Sequence, residues 1–387
     1  MPPRLGVLLA IKGLGHGGAE RLLVDLVAAG DHRAFDYQVA YVLDSADGLV
    51  PAFRSNGTAV HPLGAVGNLD LRWLPAFRRL LLDNDYDIVH FHLPYTAAFG
   101  RLVVATLPRG RRPITLYTEH SLWNKAAVLV KILNRATIGL DRALIAVSRA
   151  AFDALPPSLK PRAEVIVHGI DLRRSAEMIG RRDEIRRKIR AELGVRPEEL
   201  LAITVANLRS EKGYDVLLDT AHLVAERGLP IRFAAAGQGA IGHQIAERHR
   251  ALGLGDRFRL LGYRQDALEL LTAADVVVLP SHQEGLPVVL MEASSVGATI
   301  VATSVGGVEQ VVQDGVGGLI VPPGRPDALA DAIERLWSDP DLRQRLGQRA
   351  AVNSEAFDVA RASDDVERIY RTLSTTPHGS RGGVGGR

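Results

Sequence analysis

The sequence predicts an α/β protein made of two Rossmann-like, doubly wound domains. Three observations predict it. Short β-branched runs alternate with amphipathic stretches from end to end. The runs are apolar throughout rather than at every second position, as parallel strands covered by helices on both faces must be. The rhythm stops once, in the Arg-, Lys- and Glu-dense segment 169–196, and then restarts, which divides the 387 residues into two similar parts.

Taken in order, 5–11 reads as a strand, 19–29 as a helix and 37–43 as a strand. A helix at 71–82 precedes a strand at 87–92. Strands follow at 114–118, 143–148 and 164–168, with a helix at 126–138. After the break, strands are expected at 200–206, 231–236, 257–261, 275–280 and 299–303. Helices at 214–227, 241–252 and 286–296 connect them. The expected domains are therefore 1–170 and 171–355. A last helix at 356–374 is placed to pack back onto the first domain, and the Gly-, Ser- and Arg-rich tail 375–387 is expected to be disordered.

Composition removes several function classes. The chain has no cysteine, which excludes a disulfide scaffold, a zinc finger and a thiol nucleophile. Its 47 Lys and Arg against 44 Asp and Glu leave a formal charge of +3, unlike a nucleic-acid-coating polycation. The charge is uneven: 1–170 holds 19 cations against 14 anions, and 201–387 holds 19 against 23. No stretch reads as a membrane span. The N-terminal apolar run is too short for a signal sequence, so a cytoplasmic protein is expected.

Three motifs could carry chemistry. Gly13-Leu14-Gly15-His16-Gly17-Gly18 follows the first strand and opens the first helix. It fits the dinucleotide fingerprint, with Asp44 at the end of the second strand as a ribose acid, but also a general phosphate loop at a helix N-terminus. Asn207-Leu208-Arg209-Ser210-Glu211-Lys212-Gly213 places two cations at a strand's C-terminal end, where a diphosphate would be met. Pro280-Ser281-His282-Gln283-Glu284-Gly285-Leu286-Pro287 runs into Val288-Val289-Leu290-Met291-Glu292-Ala293. Pro287 suits a first helical position. Glu284 then lies in the loop and Glu292 inside an apolar helix, where a carboxylate needs donors such as ligand hydroxyls. Free amides of the first turn lie between them.

The spacing Glu284-x7-Glu292 resembles the retaining glycosyltransferases of the GT-B fold, especially family 4. The likeness extends over nearly the whole chain. Gly17-Gly18-Ala19-Glu20 is similar to that family's N-terminal loop, and Asp87-Ile88-Val89-His90-Phe91-His92 to its central strand. Thr118-Glu119-His120 is similar to its histidine-bearing strand end, and His168-Gly169-Ile170-Asp171 to its domain-crossing turn, with His where Asn is usual. Gly237-Gln238-Gly239, Leu261-Gly262-Tyr263 and Val305-Gly306-Gly307-Val308-Glu309 complete the pattern. The resemblance implies two Rossmann-like domains facing a cleft and a nucleotide-diphosphate-sugar donor bound mainly by the second. Glu292 would hold the ribose. Glu284, with the amides of Gly285, Leu286, Pro287 (which lacks an N–H) and Val288, would hold the sugar and diphosphate. Lys212 and Arg209 would neutralise the leaving diphosphate, helped by Gly17 and Gly18. Gly262 would line the donor site, and His120 would reach the sugar. The family's usual diphosphate arginine stands where this chain has Asn207.

No cofactor or essential metal is expected. Asp83-Asn84-Asp85 and Asp85-Tyr86-Asp87 look like metal-binding Asp-x-Asp pairs, but sit at the N-terminal edge of a strand, away from the ligand edge. His90 and His92 share one strand face. Trp73, Phe77, Arg78 and Arg79, then Arg101, Arg109, Arg111 and Arg112, then Trp123, Lys125, Lys131 and Arg135, make the first domain a candidate for docking on an anionic membrane surface. The acceptor would then be a lipid-linked or cell-envelope glycan and the enzyme peripheral at the inner membrane face. Nucleic acid is not an expected partner. A nucleotide-sugar epimerase of the same fold and an NAD(P)-binding oxidoreductase are the alternatives.

Overall fold

A computed structural model describes residues 4–67, 69–120 and 128–375. The chain divides into two units. Unit 1 is Met1–Gly169 together with the chain from Val359 onward, and unit 2 is Ile170–Asp358.

Unit 1 is built on seven parallel strands: β1 (Leu5–Ile11), β2 (Phe35–Leu43), β3 (Ala59–Ala65), β4 (Ile88–His92), β5 (Ile114–Glu119), β6 (Ala143–Ala146) and β7 (Ala163–Val165). Their order is β3-β2-β1-β4-β5-β6-β7. β1 shows why the runs are apolar on both faces. Val7, Leu9 and Ile11 enter one core with Leu23 and Val27 of helix Gly18–Ala29. Leu8 and Ala10 enter another with Trp73, Phe77 and Phe91. The strand pattern did not reveal β3, which pairs only with β2 and carries Pro62, a residue tolerated at a sheet edge.

The last helix, Val359–Thr375, is part of unit 1. Val366, Ile369 and Tyr370 fill the first of these cores. The Glu367 carboxylate accepts from the Asp31 amide at 2.6 Å and the Tyr37 hydroxyl at 2.8 Å. Burial, then the neighbouring Tyr370 and Glu367, push the Tyr37 hydroxyl's pKa well up, so it stays a donor.

Unit 2 holds six parallel strands: β8 (Leu200–Val205), β9 (Ile231–Ala236), β10 (Phe258–Gly262), β11 (Val276–Leu279), β12 (Thr299–Thr303) and β13 (Gly318–Val321), in the order β10-β9-β8-β11-β12-β13. The segment that interrupted the rhythm forms helices Leu172–Gly180 and Arg182–Leu193 on this unit. Ile185, Ile189 and Leu193 are its buried stripe. Arg186 and Arg190 reach Asp275 at 2.7 and 2.8 Å, and Asp275 also accepts from the Leu201 amide. Burial disfavours that carboxylate, but the two guanidiniums and the amide outweigh it and hold its pKa below the usual range.

Unit boundaries fall at 169/170 and 358/359, against 170/171 and 355/356 from sequence. Ile170 and Asp358 form a parallel bridge, and the Ile170 amide donates to Phe357 at 2.8 Å. The two crossing segments thus run side by side within unit 2. In each sheet the strand order reverses once, between β1 and β4 and between β8 and β11, which marks the ligand-binding crevice of an open α/β sheet.

Candidate active site

In unit 2 the loops after β8 and β11 leave from either side of the switch point. The Lys212 ammonium donates to both Glu284 oxygens, at 2.7 and 2.8 Å. Ser281 donates to Glu284 Oε1 at 2.7 Å, and the Ser281 carbonyl accepts from Thr303 at 2.5 Å. The pair is held by backbone as well. The amides of His282 and Gln283 donate to the Glu211 carbonyl, at 2.8 and 3.3 Å. Gly213, at φ 66°, lies so close that a Cβ there would sit 2.0 Å from the Pro280 carbonyl oxygen. Lys212 spends two of its three N–H donors on Glu284, leaving a third for another anion. The Gly262 carbonyl accepts from the Gly237 amide at 2.8 Å, which joins the loops after β9 and β10 at the same sheet edge.

The motif after β11 differs in one respect from its sequence reading. Pro287 is the N-cap of helix Val288–Ser295, not its first helical residue. Its φ of −79° suits proline, but its ψ of 96° is not helical, and its carbonyl accepts from the Leu290 amide at 3.0 Å. Helix start and Glu292 therefore shift by two residues relative to each other. Glu292 is half-buried rather than fully buried, because it shares an open helix side with Val289, one turn back. Leu286, Pro287 and Val288 are buried, and Gly285 is half-buried. Arg209 is exposed, its guanidinium 3.8 Å from Glu211, and is not drawn into the Lys212–Glu284 pair.

In unit 1, Gly17 is the N-cap of helix Gly18–Ala29 and carries no side-chain cap. A Cβ on Gly17 would fall 2.1 Å from the Glu20 carboxylate, so that carboxylate lies over the helix N-terminus and must swing away before an anion enters. Asp44 is exposed, with one carboxylate oxygen accepting from the Gly64 amide at 3.0 Å.

The ends of β4, β5 and β7 gather four histidines. His90 is bonded to Tyr370 and to Thr118, both at 2.6 Å. His92 Nδ1 lies 2.9 Å from His120 Nε2, and His120 stacks on His168 with ring centroids 5.5 Å apart. Burial first, then the neighbouring imidazoles, lower the pKa of His90, His92 and His120; burial alone lowers His168 to about 4. The sequence showed the shared face of His90 and His92. It did not show that His168 and Tyr370 complete the cluster, since they lie far along the chain.

Other candidates serve the fold. Asp83 pairs with Arg79, Asp85 with Arg111, and Asp87 accepts from the Gly6 amide. Among the described residues no group of three or more His, Asp or Glu could hold a metal. Three residues of the proposed docking set face inward instead. Trp73 and Phe77 are fully buried core residues, and Arg101 is buried against Asp141 at 2.7 Å. Trp73 and Phe77 fill the space between the sheet and its covering helices, and Arg101 bridges two helices through Asn134 and Thr137. Trp123 and Lys125 lie outside the described residues. Val128, Leu129 and Ile132 of helix Val128–Thr137 are exposed beside Arg135 and half-buried Lys131. Among the described residues no helix is long and apolar enough to cross a membrane.

Residues 185–352 match the family model for Glycosyl transferases group 1, and residues 16–174 that for Glycosyltransferase Family 4. A D-inositol 3-phosphate glycosyltransferase of Nocardia farcinica is 30% identical over 327 residues, 78% of this chain and 69% of that protein. The chain belongs to the group 1 glycosyl transferases. The alpha-D-kanosaminyltransferase of Streptomyces kanamyceticus is 30% identical to this glycosyl transferase over 264 residues, 67% of this chain and 64% of that relative, just under two thirds of its length. HepE of Anabaena, solved in complex with UDP and glucose, matches with a TM-score of 0.80 at 22% identity, over 96% of this chain and 100% of that one. Sucrose-phosphate synthase of Thermosynechococcus elongatus matches at 0.78 and 20% identity, over 97% and 100%. The fold of this glycosyl transferase is GT-B.

Proposed function

We propose that this glycosyl transferase moves a sugar from a nucleotide-diphosphate donor to an acceptor hydroxyl with retention of anomeric configuration. The observation that carries the reading is the Lys212–Glu284 pair at the β8/β11 switch point, beside the start of helix Val288–Ser295. In the reaction the bond between the anomeric carbon and the diphosphate oxygen breaks with its electron pair staying on the diphosphate, the acceptor oxygen bonds the anomeric carbon, and the acceptor hydroxyl's proton is taken up by the departing diphosphate. A cation and helix-start amides facing that developing charge lower the barrier. Lys212 supplies the cation, and exposed Arg209 is free to swing onto the same diphosphate. Glu292 takes the ribose hydroxyls and Glu284 the sugar, with Gly285 to Val288 around them. Gly262 lines the donor site, Gly17 and Gly18 assist at the diphosphate, and His120 bonds the sugar. The complexes of HepE with UDP, and with UDP and glucose, support a nucleotide-sugar donor.

For the acceptor we propose a lipid-linked or cell-envelope glycan, met at an anionic membrane face. The exposed Val128, Leu129 and Ile132 beside Lys131 and Arg135 support that placement. The donor reading is tested by thermal shift with UDP-, GDP- and ADP-sugars beside NAD and NADP, followed by product analysis. Stabilisation by one nucleotide sugar and release of its nucleoside diphosphate is expected. Stabilisation by NAD or NADP alone overturns it.

A further inference from the structure

We infer that His92 is a positioning residue that fixes His120 as the tautomer with its proton on Nδ1. The inference deepens the reading in which His120 bonds the donor sugar. It starts from the 2.9 Å contact between His92 Nδ1 and His120 Nε2. Two neutral imidazoles can make that bond in only two ways, because each carries one N–H and one lone pair.

His92 Nε2 decides between them, since it is buried and, among the described residues, has no hydrogen-bond partner. If His120 donated, His92 would accept at Nδ1 and carry its proton at Nε2. A buried N–H would then be orphaned, which folded proteins rarely tolerate. If His92 donates from Nδ1, only a lone pair is left without a partner, and that is cheaper. His120 then accepts at Nε2 and bears its own proton on Nδ1. Both rings stay neutral for this purpose: burial, reinforced by the neighbouring imidazoles, lowers the pKa of each.

The surroundings hold His92 in place. Its ring lies against His90, centroids 4.1 Å apart, and His90 is fixed on both sides by Tyr370 and Thr118. The next residue, Leu93, has φ 68° and ψ 141°, the sole positive φ of a non-glycine among the described residues. Such strain persists only where the surroundings demand it. On its other side His120 is stacked on His168 with an interplanar angle of 3°. The consequence is chemical. Nε2 of His120 is occupied, so the ring meets a ligand as an N–H donor from Nδ1, suited to a sugar oxygen and unsuited to removing an acceptor proton.

The test is nitrogen-15 NMR of the histidine rings in the full chain, which reads the tautomer without any substrate. His120 is expected with a protonated Nδ1 and a bare Nε2. His92→Leu should release it into a tautomer mixture, while His92→Asn, whose amide can still donate, should retain it. In the donor assay His92→Leu should lower kcat about tenfold, the scale of one hydrogen bond, with KM changed less, and His92→Asn should recover most of it. A proton on Nε2 of His120 in the parent protein overturns the inference, as does a His92→Leu protein with the tautomer and kcat unchanged. If the tautomers are as expected but no nucleotide sugar binds, the donor reading fails and the tautomer assignment stands.

Discussion

Gly306→Ala tests how closely the Glu284 loop is held. Gly306 follows β12 at φ 54°, and a Cβ there would lie 1.9 Å from the Glu284 carbonyl oxygen. Real Cβ contacts do not fall below 3.0 Å, so the Glu284 loop must retreat by roughly 1 Å. Alanine in this backbone region costs about 1–2 kcal/mol by itself. A displacement near 1 Å in a positioning loop costs about 100-fold in turnover. Gly315 supplies the control: its φ is 68°, but nothing lies within 4 Å of the added methyl. Gly315→Ala should therefore lower Tm by about 2–8 °C for the backbone term alone and leave donor affinity unchanged. Gly306→Ala should show at least that Tm loss, together with about 100-fold lower kcat/KM. The assay is differential scanning fluorimetry beside nucleoside diphosphate release. Equal catalytic behaviour of the two variants would refute the reasoning, because the clash is what separates them.

Three further outcomes are expected. Lys212→Ala should reduce kcat by roughly 100- to 1,000-fold, the scale for removing one stabiliser of developing charge; steady-state turnover at parental level excludes the leaving-group role. Glu292→Ala should weaken donor binding by about 10- to 100-fold, as charged hydrogen bonds contribute about 1.5–3 kcal/mol, with little change in Tm since Glu292 is half-buried; calorimetric titration checks it. Buried His168 is neutral in the fold and titrates near pH 4, against about 6.5 unfolded. Its folded pKa is depressed and the unfolded chain takes up the proton first, so stability is full above about pH 6.5 and falls as pH drops toward 4. The loss is about 3 kcal/mol at 1.36 kcal/mol per unit. Urea unfolding at pH 7.5, 6 and 5, compared with His168→Asn, should show the parent losing stability faster; parallel curves would contradict the burial argument.

Much of the site was legible because its motifs are local. Lys212 lies seven residues past the end of β8 and Glu284 five past the end of β11, so the alternation of strands and helices placed both at strand ends. The contact between them was not legible, because it depends on β8 and β11 being neighbours in the sheet although they are separated by β9 and β10 in sequence. The edge strand β3 escaped notice because His61, Pro62 and Gly64 break its apolar run, and β13 because it is only four residues long. The charge-dense segment 169–196 read only as a break in the strand–helix rhythm, because its arginines hid a buried stripe of Ile185, Ile189 and Leu193.

Sequence by itself determined the α/β class, the two-part chain and the strand-end placement of the carboxylates and cations, since periodicity and turn chemistry act over a few residues. Only the tertiary structure decided which partners those groups meet. Lys212 closes on Glu284, Arg209 stays exposed, Trp73 and Arg101 turn inward, and Tyr370 from the last helix locks His90. Each of these depends on strand order and on burial, properties of residues far apart in the chain.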